Sequence, residues 1–276
     1  MNWQKHDFLS GIVEVAQTIM PRPRFYLHVA DHFNLRGLFD SEPLILTAGE
    51  NFFDNLGGKC NFSGALPHIV LGEVAGVSVM VATNCRTLAD GGGVEPVLYP
   101  DVLAYHLGAR NFIYIDTGIS LNPDLKPGKW AMLTDFMSDY AISPLDGLHP
   151  FLPEPYPNLG DAFSQYLNSE IINSMSEKEP APLLCTALGM PGYAQPTPAA
   201  AQRAHADGAD IILRDLVLHL PLACALQCRT SAMVLAVAQM LPGTFPRITP
   251  GDFADTADFC STQLIRTLRR CLPEIE

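Results

Sequence analysis

The sequence predicts an α/β domain of three layers, a mixed central sheet with helices on both faces, and three observations carry that prediction. Short apolar runs alternate along the chain with longer segments of helical spacing. The short runs are apolar throughout rather than alternating, as strands are when both faces of a sheet are covered. Two of them, 69–73 and 77–83, are separated by little more than Ala75-Gly76, which calls for an antiparallel hairpin within an otherwise largely parallel sheet.

A first helix is expected over 4–18, where Phe8, Ile12, Val15 and Ile19 recur at helical spacing until Pro21 and Pro23 stop it. Strands are expected at 44–48, 69–73, 77–83, 111–117, 130–136, 183–187, 211–214 and 232–238. Helices are expected at 95–106, 161–173, 198–207, 216–227 and 250–270. Segment 142–158 holds Pro144, Pro150, Pro153, Pro155 and Pro157 among Leu145, Leu148, Phe151, Leu152 and Tyr156. That is an irregular excursion, too apolar for a free linker, of the kind that covers a pocket or a subunit contact. No internal repeat or low-complexity tract divides the chain, so 1–276 reads as a single domain.

Composition narrows the function. With 276 residues, 48% hydrophobic and 17% charged, disorder, collagen and coiled coil are excluded. Lys plus Arg at 17 against Asp plus Glu at 29 gives a net charge of −12, which repels nucleic acid and anionic membrane surfaces. The 7 cysteines are odd in number, scattered and without a CxxC pair, and read as reduced thiols of a cytosol. The apolar stretch at 8–20 carries Glu14 and Gln17 and has no small-residue cleavage site, so it does not read as an export signal. The most apolar segment, 231–241, is about half the ~20 residues that a bilayer core requires. A cytoplasmic protein is expected, with neither nucleic acid nor membrane as partner.

Ligands of open parallel sheets sit outside the carboxyl ends of the strands. Three such ends carry small residues: Thr47-Ala48-Gly49-Glu50-Asn51, Asp116-Thr117-Gly118-Ile119-Ser120 and Gly189-Met190-Pro191-Gly192. Glycine there allows backbone N–H groups to approach an anion.

The second of these ends continues as IDTGISLNPDLKPGKWAMLTDFMSD. This stretch resembles the central signature of the trimeric purine nucleoside and methylthioadenosine phosphorylases, through Gly118, Leu121, Asn122, Pro123, Gly128 and Asp135. Residues 43–49 resemble that family's first strand and phosphate loop, and Ser143-Pro144-Leu145 its Asn-Pro-Leu. Residues 156–163 resemble its FPxMSDAYD, and Gly208-Ala209-Asp210 the Gly-Ala-Asp before its penultimate core strand. The resemblance runs in order over 43–241. It implies the nucleoside phosphorylase fold, a trimer, and transfer of a pentosyl group from a nucleoside to inorganic phosphate, with no metal and no other cofactor. It places Gly49, Asn84, Arg86, Thr117 and Gly118 near phosphate and sugar, with Asn84 in the family's arginine slot and Arg86 in its histidine slot. Arg214 and Asp215 fall where the family's Met-Ser-Thr touches sugar and phosphate, and Tyr193 and Asp215 stand near the base.

The departures fall on the working positions. Thr47-Ala48-Gly49 replaces Gly-Ser-Gly, Ile119 stiffens the second loop, Gln195 and Pro196 stand where Phe-Glu is expected, and Ala238 replaces the base-contacting asparagine. Asp215 opposes phosphate: two like charges about 4 Å apart repel by roughly 4 kcal/mol at an effective dielectric of 20. Three functions stay open: a pentosyltransferase with a degenerate site, a phosphate-independent nucleosidase, and a non-catalytic nucleoside-binding or assembly protein. In the nucleosidase, Asp215 would protonate the purine, and Glu50, Glu73, Asp90 and Asp116 are the carboxylates available to activate water. No catalytic residue is assigned.

Local readings of the remaining polar residues are structural. Asp215 is placed to cap the helix over 216–227. His28 and His32 read as a surface pair, His219 as a satisfied interior histidine, and Cys224 with Cys228 as core packing.

Overall fold

The computed structural model describes residues 12, 16, 19, 22–47, 68–91, 93–175, 180–192, 194–241, 243–244 and 246–276. Its strands are β1 (Phe25–Val29), β2 (Leu44–Thr47), β3 (His68–Val74), β4 (Val77–Thr83), β5 (Asn111–Ser120), β6 (Trp130–Ser138), β7 (Leu183–Gly189), β8 (Ile211–Leu213) and β9 (Arg229–Gln239). Five helices of two turns or more accompany them among the described residues. They are α1 (Glu95–Leu107), α2 (Gln165–Ser174), α3 (Pro198–Ala206), α4 (Leu216–Ala225) and α5 (Pro250–Glu274).

The strands form one mixed sheet in the order β2-β3-β4-β1-β5-β8-β7-β6-β9, with a further pairing of β5 to β9. β1 runs parallel to both β4 and β5, and β5 parallel to β9. β2, β3 and β4 make an antiparallel edge. The expected hairpin is there: Ala75 and Gly76 both have positive φ, 49° and 77°, matching a tight turn to the twist of β3 and β4. The far half closes on itself, because β5, β9, β6, β7 and β8 pair in a ring.

That closure depends on Gly118. β5 shifts register between Gly118 and Ile119, and β8 crosses it there antiparallel. A Cβ on Gly118 would lie 2.9 Å from the carbonyl oxygen of Ile212 and 2.8 Å from the Ile211 side chain, so only glycine lets the strands meet.

Helix boundaries follow local chemistry. Thr249 begins α5 with a capping box to Asp252, and buried Ala257, Cys260, Ser261, Leu264, Thr267, Leu268, Cys271 and Leu272 trace one face of it. The helix expected over 161–173 instead starts after Ser164, whose hydroxyl accepts from the N–H of Leu167 at 3.3 Å; a 3₁₀ turn covers Leu159–Asp161. Leu148 and Leu152 of the proline-rich excursion are buried in the core that α1 and α4 share, and the N–H of Glu154 reaches the carbonyl of Ala225 at 2.9 Å. The helix expected over 4–18 lies outside the described residues except for Ile12 and Ala16, which are helical and buried. No helix of the described residues is long and apolar enough to cross a membrane.

One expectation is corrected. Residues 44–47 form a strand, but it is the sheet's edge, antiparallel to β3. The strand that lies between β4 and β5 is β1, Phe25–Val29, which has the position expected of the first strand. An apolar run followed by small residues is common to many strand ends; which run takes the centre is decided by pairing partners far away in sequence.

Candidate functional site

The carboxyl ends of the parallel strands β1, β4 and β5, together with that of β7, open onto a cavity of about 540 Å³, which the turn after β8 and the start of α5 complete. Residues 28–32 enter it from β1, Cys85, Arg86 and Thr87 from β4, and Asp116, Thr117 and Gly118 from β5. Met190 and Gly192 follow β7, Arg214 and Asp215 follow β8, and Thr249 to Phe253 close the mouth.

Of the site residues expected from sequence, Arg86, Thr117, Gly118, Arg214 and Asp215 come together on this wall. Arg86 is 8% exposed and Thr117 7%, so both are held inside rather than displayed at the surface. Asn84 does not line the cavity; its φ is 50°, and its N–H donates to the carboxylate of Asp31, which does. Gly49 and Tyr193 lie outside the described residues.

Asp215 sits at the N-cap position of α4, yet its side chain makes no capping bond, which corrects the local reading. Its Oδ1 lies 2.7 Å from the hydroxyl of Tyr140, and its Oδ2 accepts from the N–H of Leu88 at 3.3 Å. The Tyr140 hydroxyl is also 3.0 Å from the carbonyl of Met190. Burial, then the hydrogen bond and charge of Asp215, pushes the Tyr140 phenol far up, so it remains a donor.

Asp116 is the most perturbed carboxyl of the cavity. Burial raises it from 3.8 to about 6; the Thr117 N–H, at 2.7 Å, and Arg214 pull it back, while Asp215 adds to the rise. Asp31 is raised as well, by burial first, against the Asn84 N–H. Three carboxyls thus face the cavity alongside two guanidiniums, and Arg214 is close enough to influence Asp116 and Tyr140.

Sequence reasoning missed the polar network behind this wall. Asp101 on α1 is fully buried, and its carboxylate accepts from the hydroxyl of Tyr114 and from Nδ1 of His219 at 2.9 Å, with the Tyr26 hydroxyl at 3.4 Å. That same hydroxyl lies 3.0 Å from Nδ1 of His28. His28 is therefore no surface residue: it belongs to β1, not to a helix with His32, and both line the cavity. Burial lowers His28 to about 3, with His219 adding to the fall and Asp101 opposing it. His219 is interior, as expected; burial lowers it, but the charge and hydrogen bond of Asp101, with Asp215 and Asp116, leave it raised overall. The available signal was His28 inside the apolar run Phe25–Val29, and Asp101 between Pro100 and Val102. A polar residue at a buried position of either element requires a partner.

The topology and the place of the cavity match those of solved purine nucleoside phosphorylases in fold. No protein-family model and no curated sequence matches the chain. Among solved structures it is similar to isoform 2 of purine nucleoside phosphorylase from Schistosoma mansoni in complex with cytosine and ribose-1-phosphate. There the TM-score is 0.84 at 15% identity, over 98% of this chain and 96% of that one. It is also similar to Schistosoma mansoni purine nucleoside phosphorylase in complex with inosine, with TM-score 0.83, 15% identity and the same coverages. The same enzyme in complex with adenosine matches with TM-score 0.81 and 14% identity, over 100% of this chain and 97% of that one. Likeness at these identities establishes the fold; the chemistry of this chain rests on its own residues.

Proposed function

We propose that the cavity binds a purine nucleoside, and that transfer of its pentosyl group to phosphate is slow or lost. The observation that carries this reading is the charge of the wall: Asp31, Asp116 and Asp215 face the same cavity as Arg86 and Arg214. Its volume, about 540 Å³, is within the range of small-molecule sites. The solved structures of the same fold are in complex with inosine, adenosine or guanosine, which supports the choice of ligand class. An anion entering this wall meets carboxylates as well as guanidiniums, and like charges that close oppose it by several kcal/mol, roughly 4 at an effective dielectric of 20.

Thermal unfolding with inosine, guanosine, adenosine and methylthioadenosine tests the binding, since a ligand that binds only the folded state raises its midpoint. The midpoint is expected to rise with at least one nucleoside, while base release with phosphate stays well below ~1 per second. No shift with any nucleoside refutes the ligand class. Phosphate-dependent turnover at ordinary enzyme rates refutes the claim about transfer.

A second reading, hydrolysis without phosphate, is favoured by Asp116. A carboxyl held near 6 keeps a proton to give to the departing base as the C–N bond breaks, while water adds its hydroxyl to the sugar's anomeric carbon and its other proton returns to the carboxylate. Base release without phosphate, abolished by Asp116→Asn, selects it. Assembly into a trimer belongs to the same proposal and is read by sedimentation. Tyr156, at the end of the excursion, is 84% exposed and is one apolar residue available for such a contact.

A further inference from the structure

The network behind the cavity wall has the composition and spacing of a metal site. Around one small volume lie His28 Nδ1, Tyr26 Oη, Asp101 Oδ2 and His219 Nδ1, with successive separations of 3.0, 3.4 and 2.9 Å. One ligand atom from each of His28, Asp101 and His219 falls within 4.8 Å of the others. Donors bound to tetrahedral zinc at about 2.0–2.2 Å stand roughly 3.3–3.6 Å apart. The Asp101–His219 edge, at 2.9 Å, opens to that by a few tenths of an ångström, and His28 joins the other two through the Tyr26 hydroxyl, the fourth donor of the cluster. The two imidazole rings approach to 4.5 Å between centroids, and each turns Nδ1 toward the Tyr26–Asp101 pair.

We propose that His28, Asp101 and His219 bind one zinc ion at the inner wall of the cavity, with the Tyr26 hydroxyl beside them. Two imidazole nitrogens with one carboxylate oxygen suit zinc over magnesium or calcium, which prefer oxygen alone. The ligands come from three elements, β1, α1 and α4, so the ion would tie the sheet to both helices of that layer. Tyr114 stands outside the ligands with its hydroxyl on the other oxygen of Asp101, fixing the carboxylate's orientation. His28 and His219 both line the cavity, which gives an ion its way in.

The test uses the full chain, stripped with a chelator, desalted and titrated with zinc sulfate in the absence of any nucleoside. One zinc per chain is expected by elemental analysis after desalting, with a rise of about 5 °C in the unfolding midpoint. Cobalt in place of zinc is expected to give the intense visible bands of a four-coordinate ion. His28→Gln and Tyr114→Phe are each expected to weaken zinc at least ~10-fold, and the circular dichroism of the metal-free variants, matching that of the parent, shows that they fold. A parent chain that retains no zinc shows a network held by protons alone and overturns the proposal. Zinc bound with unchanged affinity by both variants places the ion elsewhere and overturns it equally. Because no nucleoside is present, failure here leaves the nucleoside reading standing, and the converse also holds.

Discussion

The two faces of the sheet bury different chemistry. On one, Phe25, Leu27 and Val29 of β1 and Ile113 and Ile115 of β5 pack with Leu167, Ile171, Leu264 and Leu268 of α2 and α5, an interior built of apolar groups. On the other, Tyr26 of β1 and Phe112 and Tyr114 of β5 pack under Leu98, Val102, Leu216 and Leu220 of α1 and α4. Since side chains alternate along a strand, the second face also receives His28 and Asp116, and it is where Asp101 and His219 descend from the helices. The first face is dry but for one neutral pair, Ser231 and Asn168, whose hydrogen bonds close on each other and on the carbonyl of Leu133. The other carries buried polar groups that stay buried only because each has a partner, and it runs straight into the cavity wall.

That contrast predicts its own order of sensitivity. Asp101→Ala removes the acceptor of Tyr114 and His219 in one step, leaving a charged or polar group without its partner in the interior. Breaking a buried pair in this way costs about 4 kcal/mol. Leu27→Ala, on the dry face and fully buried, leaves a cavity that its neighbours fill only in part, at about 3 kcal/mol. Urea denaturation of the two variants, freed of metal, measures both. If Asp101→Ala costs clearly less than Leu27→Ala, the network is a loose polar cluster, and the distinction between the faces fails.

The dry face was far more legible in the sequence than the polar one. The stripe of α5 from Ala257 to Leu272 repeats every three to four residues and can be read locally, as can the hairpin at Ala75-Gly76. The runs that became β3 to β9 are apolar and bounded by turn residues. β1 escaped notice because His28 interrupts it and prolines precede it, whereas its central place comes from pairing with β4 and β5. Asp215 shows the limit most directly. Local rules make it a helix cap, but the side chain turns instead to Tyr140, 75 residues away in the chain. Asp101 and His219 are separated by 118 residues. No local pattern joins them, so half of the candidate site was visible as residue types at strand ends while its supporting network was not.

Acidity sharpens the contrast further. Asp116, raised to about 6 in the fold, holds a proton that the unfolded chain releases near 3.8. Its contribution therefore favours folding at low pH and is lost as pH rises from about 4 through about 6. His28 works in the opposite direction: the unfolded chain takes a proton near 6.5, while the fold refuses one down to about 3, so its contribution is lost on acidification. The two slopes partly cancel between pH 4 and 6. Asp116→Asn removes one of them, and its stability is expected to fall more steeply on acidification than that of the parent. The extra loss is about 1 kcal/mol at pH 4, discounted for the water that the cavity admits. Denaturation at pH 4, 5, 6 and 7 measures it, and parallel curves would mean that Asp116 titrates as an ordinary surface carboxyl.

The smallest effect is expected at Phe259, which stands on α5 directly before Cys260 of the buried stripe yet is 86% exposed. Within the single chain it touches little, so Phe259→Gln should change stability by no more than ~0.5 kcal/mol. Its value lies in its failure. A loss above ~1 kcal/mol would mean that the ring is covered in solution, as by a second copy of the chain. Repeating the denaturation at ten times the protein concentration separates the cases, because a covered ring makes the midpoint depend on concentration and an uncovered one does not.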